Sequence, residues 1–195
     1  MTSFSDRERR NQEIDRLVLL SQEGDAEAFA KIYDVLAVPI YRYIYYRVHA
    51  GDAEDLTEMV FLKAWERLSQ YRKTQYSFSA WLFKIARNLV IDYYRMNTFS
   101  AELDQSFPDT RREANPVSHV EEALTQQTLK IALAKLKESY QQVIILKFIN
   151  DLSNSEVSRV IGRSEGTVRI LQFRALQALK KILKRMVDEY GDTAF

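Results

Sequence analysis

GRSEGTVRILQFRALQALKK, residues 162–181, is the stretch on which the fold turns. Its apolar residues recur at three- and four-residue steps with no Pro among them, the signature of a helix. At about 100° per residue, Val168, Leu171, Ala175, Leu179 and Ile182 cluster on one face suited to burial. The opposite face carries Arg169, Ile170, Phe173, Arg174, Gln177, Lys180 and Lys181, so two apolar side chains stand among cations where water is expected. Just upstream, residues 155–161 read as a short helix, Gly162 suits the positive φ of a helix end, and Ser164 is a candidate N-cap. Two helices across a short Gly-containing turn form the helix-turn-helix pattern, whose second helix enters the major groove of DNA. A groove explains the odd face. Arginine reads guanine, apolar groups meet a thymine methyl, and Thr167 with the first helical amides can hold a phosphate. The competing reading packs Ile170 and Phe173 on another protein.

Outward from this stretch, the rest of the 195 residues is helical in character. Five Gly and three Pro leave little turn material, and no apolar run approaches the roughly 18 residues of a membrane span. The polar start MTSFSDRERRNQE lacks a signal peptide's apolar core, which makes the cytoplasm the expected location. No Cys is present, so disulfides and thiolate metal sites are excluded, and no cofactor is expected. Net charge is only +1 but unevenly placed. Residues 50–70 carry five acids against two bases, 71–95 five bases against one acid, and 163–187 seven bases against one acid. Two basic stretches in a near-neutral chain fit either contacts with a polyanion or solvated helix faces.

Two helical blocks flank a weak middle. After an N-terminal extension, residues 1–24, the first block spans residues 25–95. It contains DAEDLTEMVFLKAWERL, an amphipathic helix with Asp52 as candidate N-cap, and SAWLFKIARNLVIDYYR, with Ser79 as candidate N-cap. The polar, basic and aromatic connector YRKTQYSF lies between them. Residues 96–120 lose the period, hold two of the three prolines and are net acidic, as a flexible linker would be. Residues 121–187 are helical again and end in the helix-turn-helix, leaving 188–195 as a tail; SYQQVIILKFIN within them is apolar enough to be buried. The expected fold is all-α, two helical domains joined by a flexible linker.

At this point three segments in order, covering nearly everything from Asp25 to Leu183, resemble bacterial sigma factors of the sigma-70 family, extracytoplasmic-function group. DAEDLTEMVFLKAWERL looks like the segment that grips the clamp of core RNA polymerase. SAWLFKIARNLVIDYYR looks like the segment for the −10 promoter element, and LSNSEVSRVIGRSEGTVRILQFRAL like the helix-turn-helix for the −35 element. The resemblance implies a transcription initiation factor that binds core polymerase and promoter DNA, helps melt the −10 region, and admits an anti-sigma factor as a further partner. The implied polymerase contacts are Asp52, Asp55, Glu58, Phe61, Leu62 and Trp65, with Phe61 expected to be only partly exposed. For the −10 strand they are Tyr71, Arg72, Lys73, Tyr76, Arg87, Asn88, Asp92 and Arg95, in a region where unpaired bases can stack on aromatic rings. For the −35 duplex they are Arg163, Ser164, Thr167, Arg169, Ile170, Phe173, Arg174 and Gln177. The chain departs from the family's usual pattern at Glu58-Met59, where Gln-Glu is common, and at Ile170-Leu171, where a small polar and a basic residue are common.

Two other classes compete. A two-domain regulator could bind DNA through the same helix-turn-helix without polymerase, but a net charge of +1 is low for tight independent binding. An enzyme lacks support: there is no GxxxxGK[ST] or HExxH, and His49 and His119 are the only histidines.

Overall fold

The computed structural model describes residues 4–73, 76–103 and 120–191. Among the described residues there are α-helices and helical turns but no strand. The first bundle comprises α1 (Phe4–Gln22), α2 (Ala26–Tyr45), α3 (Ala53–Glu66) and α4 (Phe78–Leu103). The second comprises α5 (Val120–Ala134), α6 (Glu138–Ile144), α7 (Asn154–Ile161) and α8 (Glu165–Gly191).

Local chemistry sets most of the boundaries. Asp25 starts α2 by accepting the Ala28 amide at 3.0 Å, and Gly24, at φ 101°, makes the turn from α1. Along α2, Ala28, Ile32, Leu36, Ile40 and Tyr43 recur at helical spacing and are all buried. The N-terminal extension supplies a full member of this bundle, since Ile14 and Val18 of α1 are buried in the shared core. Ser77, not Ser79, caps α4: its hydroxyl accepts the Ala80 amide at 3.3 Å. Asp52 does sit at the start of α3 but caps no amide there; its carboxylate accepts the Tyr93 hydroxyl at 2.6 Å instead, tying α3 to α4. Burial and this donation push the Tyr93 hydroxyl up to about 12.

The expected linker and tail are shorter than their sequence suggests. α4 continues through residues 96–103, and residues 104–119 lie outside the described residues. α8 continues through 188–191, and residues 192–195 also lie outside them. The apolar stretch after α6 becomes a π-helical turn, Ile145–Ile149, with Ile145 and Leu146 buried but Phe148 half exposed.

The helix-turn-helix is built by two caps and a bridge. Ser153 and Glu156 form a reciprocal capping box at the start of α7. Gly162 ends α7 in the left-handed region at φ 67°, and Ser164 accepts the Thr167 amide at 3.2 Å to start α8. Gln172 on α8 donates to Asn154 on α7 at 2.7 Å, fixing the crossing of the two helices. Val157, Val160, Val168 and Ala175 close the apolar contact between them, while Leu171, expected in the core, is only partly buried.

A Cβ at Gly162 would meet nothing within 4 Å, so the cost of a side chain there is backbone strain alone. Gly162→Ala is expected to lower unfolding free energy by about 1–2 kcal/mol, measured by urea denaturation. An unchanged midpoint would show that the turn relaxes out of the left-handed region.

Candidate nucleic-acid interface

The exposed face of α8 is as the wheel drew it. Arg163, Ser164, Thr167, Arg169, Ile170, Phe173, Arg174 and Gln177 are all exposed, with Ile170 at 55% and Phe173 at 68%. Arg169 pairs loosely with Glu165 one turn back, at 3.8 Å, and both remain solvated. Large apolar side chains this exposed on a rigid, basic helix form a surface built for contact rather than for water.

The region 71–95 is organised differently. Tyr71, expected on the surface, is buried: its ring packs with Phe78 and Trp81 at centroid distances of 5.1 and 5.2 Å. Phe78 and Trp81 themselves stand 5.1 Å apart, so three rings staple the two ends of the connector at its base. Burial, with the Asp15 carboxylate nearby, pushes the Tyr71 hydroxyl up to about 12. Tyr71 therefore cannot offer its ring to a DNA base in this arrangement. Arg72, Lys73, Asn88, Asp92 and Arg95 are exposed. Lys73 pairs with Asp15 of α1 at 2.8 Å, and Arg95 lies 3.9 Å from Asp92.

Tyr76 and Arg87 face the second bundle. The Arg159 guanidinium lies 5.0 Å over the Tyr76 ring, and the Arg87 side chain donates to Gln142 at 3.4 Å. Around them, Ser77 donates to Glu156 at 2.5 Å, Gln141 donates to the Tyr46 carbonyl at 3.1 Å, and Arg7 pairs with Asp151 at 2.8 Å. Arg47 has a buried side chain at the end of α2, and its guanidinium meets Glu138 of α6 at 3.1 Å. The two bundles are thus docked through a shared apolar core and these polar contacts, with part of the basic-aromatic surface between them.

On α3, Asp52, Asp55 and Glu58 are exposed, as are Leu62 at 59% and Trp65 at 43%. Phe61 is not: it is 4% exposed, held edge-on to Phe29 at 6.5 Å and tilted against Tyr33 at 4.6 Å, so it is core rather than an anchor. Met59, a departure from the family pattern and not among the implied contacts, is 44% exposed. Residues 55, 58, 59, 62, 65 and 66 share one stripe of α3 at i, i+3 and i+4 steps, interleaving acids with large apolar groups. The signal for Met59 lay in that same period.

Comparison with known proteins agrees with this layout. Residues 32–99 match sigma-70 region 2 and residues 127–179 match sigma-70 region 4. The chain belongs to the sigma-70 family, in the extracytoplasmic-function group. It is 38% identical over 170 residues to the ECF RNA polymerase sigma factor BldN of Streptomyces coelicolor, covering 86% of this chain and 64% of that protein's length. It is 29% identical over 174 residues to the ECF RNA polymerase sigma factor SigW of Bacillus subtilis, covering 84% of this chain and 92% of that one. The fold is shared with CnrH in complex with the cytosolic domain of CnrY, at TM-score 0.70, 23% identity and coverage of 89% of this chain and 98% of that one. It is also shared with the sigma factor RpoE in complex with the anti-sigma factor NepR from Bartonella quintana, at TM-score 0.72, 22% identity and coverage of 82% and 98%. In this sigma factor, region 2 carries the α3 stripe and the basic-aromatic surface, and region 4 carries the α8 face. Among the described residues no helix is long and apolar enough to cross a membrane.

Glu138→Arg would set a second guanidinium against the buried Arg47 and is expected to separate the two regions. Small-angle scattering should show a larger radius of gyration, with helix content unchanged by circular dichroism. An unchanged radius in a folded variant would mean that the other contacts hold the regions together without this pair.

Proposed function

We propose that this chain binds core RNA polymerase through α3, reads the −35 element as duplex with α8, and contacts the −10 element as single strand with the surface of residues 72–95. The protein is a promoter-directing transcription initiation factor, and it works where the polymerase works, in the cytoplasm, without catalytic residues of its own. The observation that carries this reading is the order of three chemically distinct surfaces within the two matched sigma regions: an acidic-apolar stripe, a basic-aromatic turn and helix, and a basic face with exposed Ile170 and Phe173.

Each surface suits its target. Asp55 and Glu58 supply charge complementarity to a basic partner, and Met59, Leu62 and Trp65 supply buried area once docked, Trp being a common anchor of protein interfaces. On α8, a guanidinium can read a guanine edge while Ile170 and Phe173 meet thymine methyls. Arg72, Lys73, Asn88 and Arg95 are placed to follow a single strand, with Arg87 and Tyr76 joining them once region 4 moves away. That coupling gives the docked arrangement a consequence: full −10 contact requires regions 2 and 4 to part. An anti-sigma factor is a further proposed partner, since proteins of this fold occur in such complexes.

Two outcomes are expected. Trp65→Ala with Asp55→Arg should weaken binding to core polymerase by at least about thirtyfold, the value of a hot spot near 2 kcal/mol. The measurement is a titration of labelled chain with core enzyme; a folded double variant that binds as well as the parent removes this interface. On the DNA side, Arg→Ala at a base-reading position, Arg169 or Arg174, should cost about 1–3 kcal/mol and relax preference at one −35 position. Transcription of a −35 saturation library checks it, and preference untouched in Arg169→Ala, Phe173→Ala and Arg174→Ala alike would make the α8 face a protein-docking surface instead.

A further inference from the structure

We infer that Gln22, at the end of α1, is a positioning residue for recognition at −10. Its side-chain Nε2 donates to the Leu68 carbonyl at 2.7 Å and to the Tyr71 carbonyl at 2.9 Å. These two carbonyls flank the 3₁₀ turn Leu68–Gln70, from which Arg72 and Lys73 emerge. A primary amide nitrogen carries two N–H donors in one plane, and here both are used, one on each carbonyl. Residue 22 lies outside the stretch matched to region 2 and belongs to the helix that the sequence left as an extension.

The same helix holds the turn at a second point. Asp15 lies two turns before Gln22 on α1 and pairs with Lys73 at 2.8 Å. Arg72, in turn, folds its guanidinium back onto the turn, donating to the Ser69 carbonyl at 2.6 Å and the Tyr71 carbonyl at 3.0 Å. The Tyr71 carbonyl thus receives Gln22 from one side and Arg72 from the other. Burial of the Tyr71 ring against Phe78 and Trp81 fixes the turn to α4, and its carbonyl edge is set by Gln22 together with Arg72 and the Tyr71 amide bond to the Leu68 carbonyl. Loss of the Gln22 donor removes the tie from α1 that bridges both carbonyls, and lets the turn, with Arg72 and Lys73, shift against α1 while its own backbone bond and the ring staple remain. Recognition groups must be held within about 0.5 Å of their productive position, and lose selectivity when the surrounding hydrogen bonds that hold them are removed. Gln22 touches no DNA in this account; it acts through the backbone that presents Arg72 and Lys73.

This inference rests on the reading of residues 72–95 as the −10 contact, and the experiment separates the two. The chain is assembled with core polymerase. The preferred −10 sequence is taken from transcription of a randomised library with the parent, and single-stranded oligonucleotides carrying that sequence or single-base changes are then titrated. Gln22→Met keeps the length and removes both donors; Gln22→Glu sets a carboxylate against two carbonyls. The ratio of affinities for preferred and changed oligonucleotides should fall by about three- to tenfold in Gln22→Met, the value of one net hydrogen bond, and further in Gln22→Glu. Core binding, −35 preference and helix content should stay at parent values, which a general loss of structure would not allow. Arg72→Ala with Tyr76→Ala serves as the control for the surface itself. If the control loses discrimination while both folded Gln22 variants keep it, the positioning role is overturned and the −10 reading stands. If the control also keeps it, the −10 reading falls and the role of Gln22 with it.

Discussion

The carboxylate of Glu156 is the point on which both the recognition motif and the docked arrangement depend. Its Oε2 accepts the Ser153 amide and hydroxyl, each at 2.8 Å, which starts α7 and so fixes where the helix-turn-helix begins. Its Oε1 accepts the Ser77 hydroxyl of region 2. Ser77 in turn caps α4 through Ala80. One nearly buried acid therefore couples the start of α7, the first helix of the helix-turn-helix, to the start of α4, which carries Asn88 and Arg95. A buried carboxylate is tolerable only when its oxygens are satisfied, and here both are.

Apolar packing then decides which side chains are left for partners. In region 2, Phe29, Tyr33 and Phe61 interlock, and Trp65 lies edge-on to Phe29 at 4.8 Å with 43% of its surface still exposed. That partial exposure suits an anchor: the indole is held in one orientation before any partner arrives, so little freedom is lost on docking. Tyr71, Phe78 and Trp81 play the corresponding role for the connector between α3 and α4. Their rings hold its ends together and leave polar and cationic groups outside.

Regions 2 and 4 share one buried apolar core, and around it run polar and charge-assisted contacts: Arg47 with Glu138, Arg7 with Asp151, Arg87 with Gln142, Ser77 with Glu156. The polar contacts exchange readily for water or for phosphate, whose charge competes for the same guanidinium groups. The exposed face of α8 stays open in the docked form, while Tyr76 and Arg87 are engaged between the regions.

The sequence by itself determined everything that follows from period and local capping. The all-helical character, the two blocks, Gly162 at the helix end, Ser164 at the start of α8 and the outward placement of Arg169, Ile170 and Phe173 all come from steps of three and four residues and from side chains that bond their own backbone. Such features need no distant neighbour. Apart from the cap of α4, taken by Ser77 rather than Ser79, the misreadings came where a distant partner decides. Phe61 read as partly exposed and Tyr71 as a DNA contact, and only packing against Phe29, Tyr33, Phe78 and Trp81 buries them. Asp52 looked like a cap, but the Tyr93 hydroxyl, 41 residues away, takes its carboxylate. α1 carried its apolar residues too sparsely among charges to announce itself, and the surface it covers is made by α2 and α4. Gln22 is the extreme case: its two acceptors are backbone carbonyls, which every residue possesses, so no pattern of side chains could have pointed to Leu68 and Tyr71 before the chain was folded.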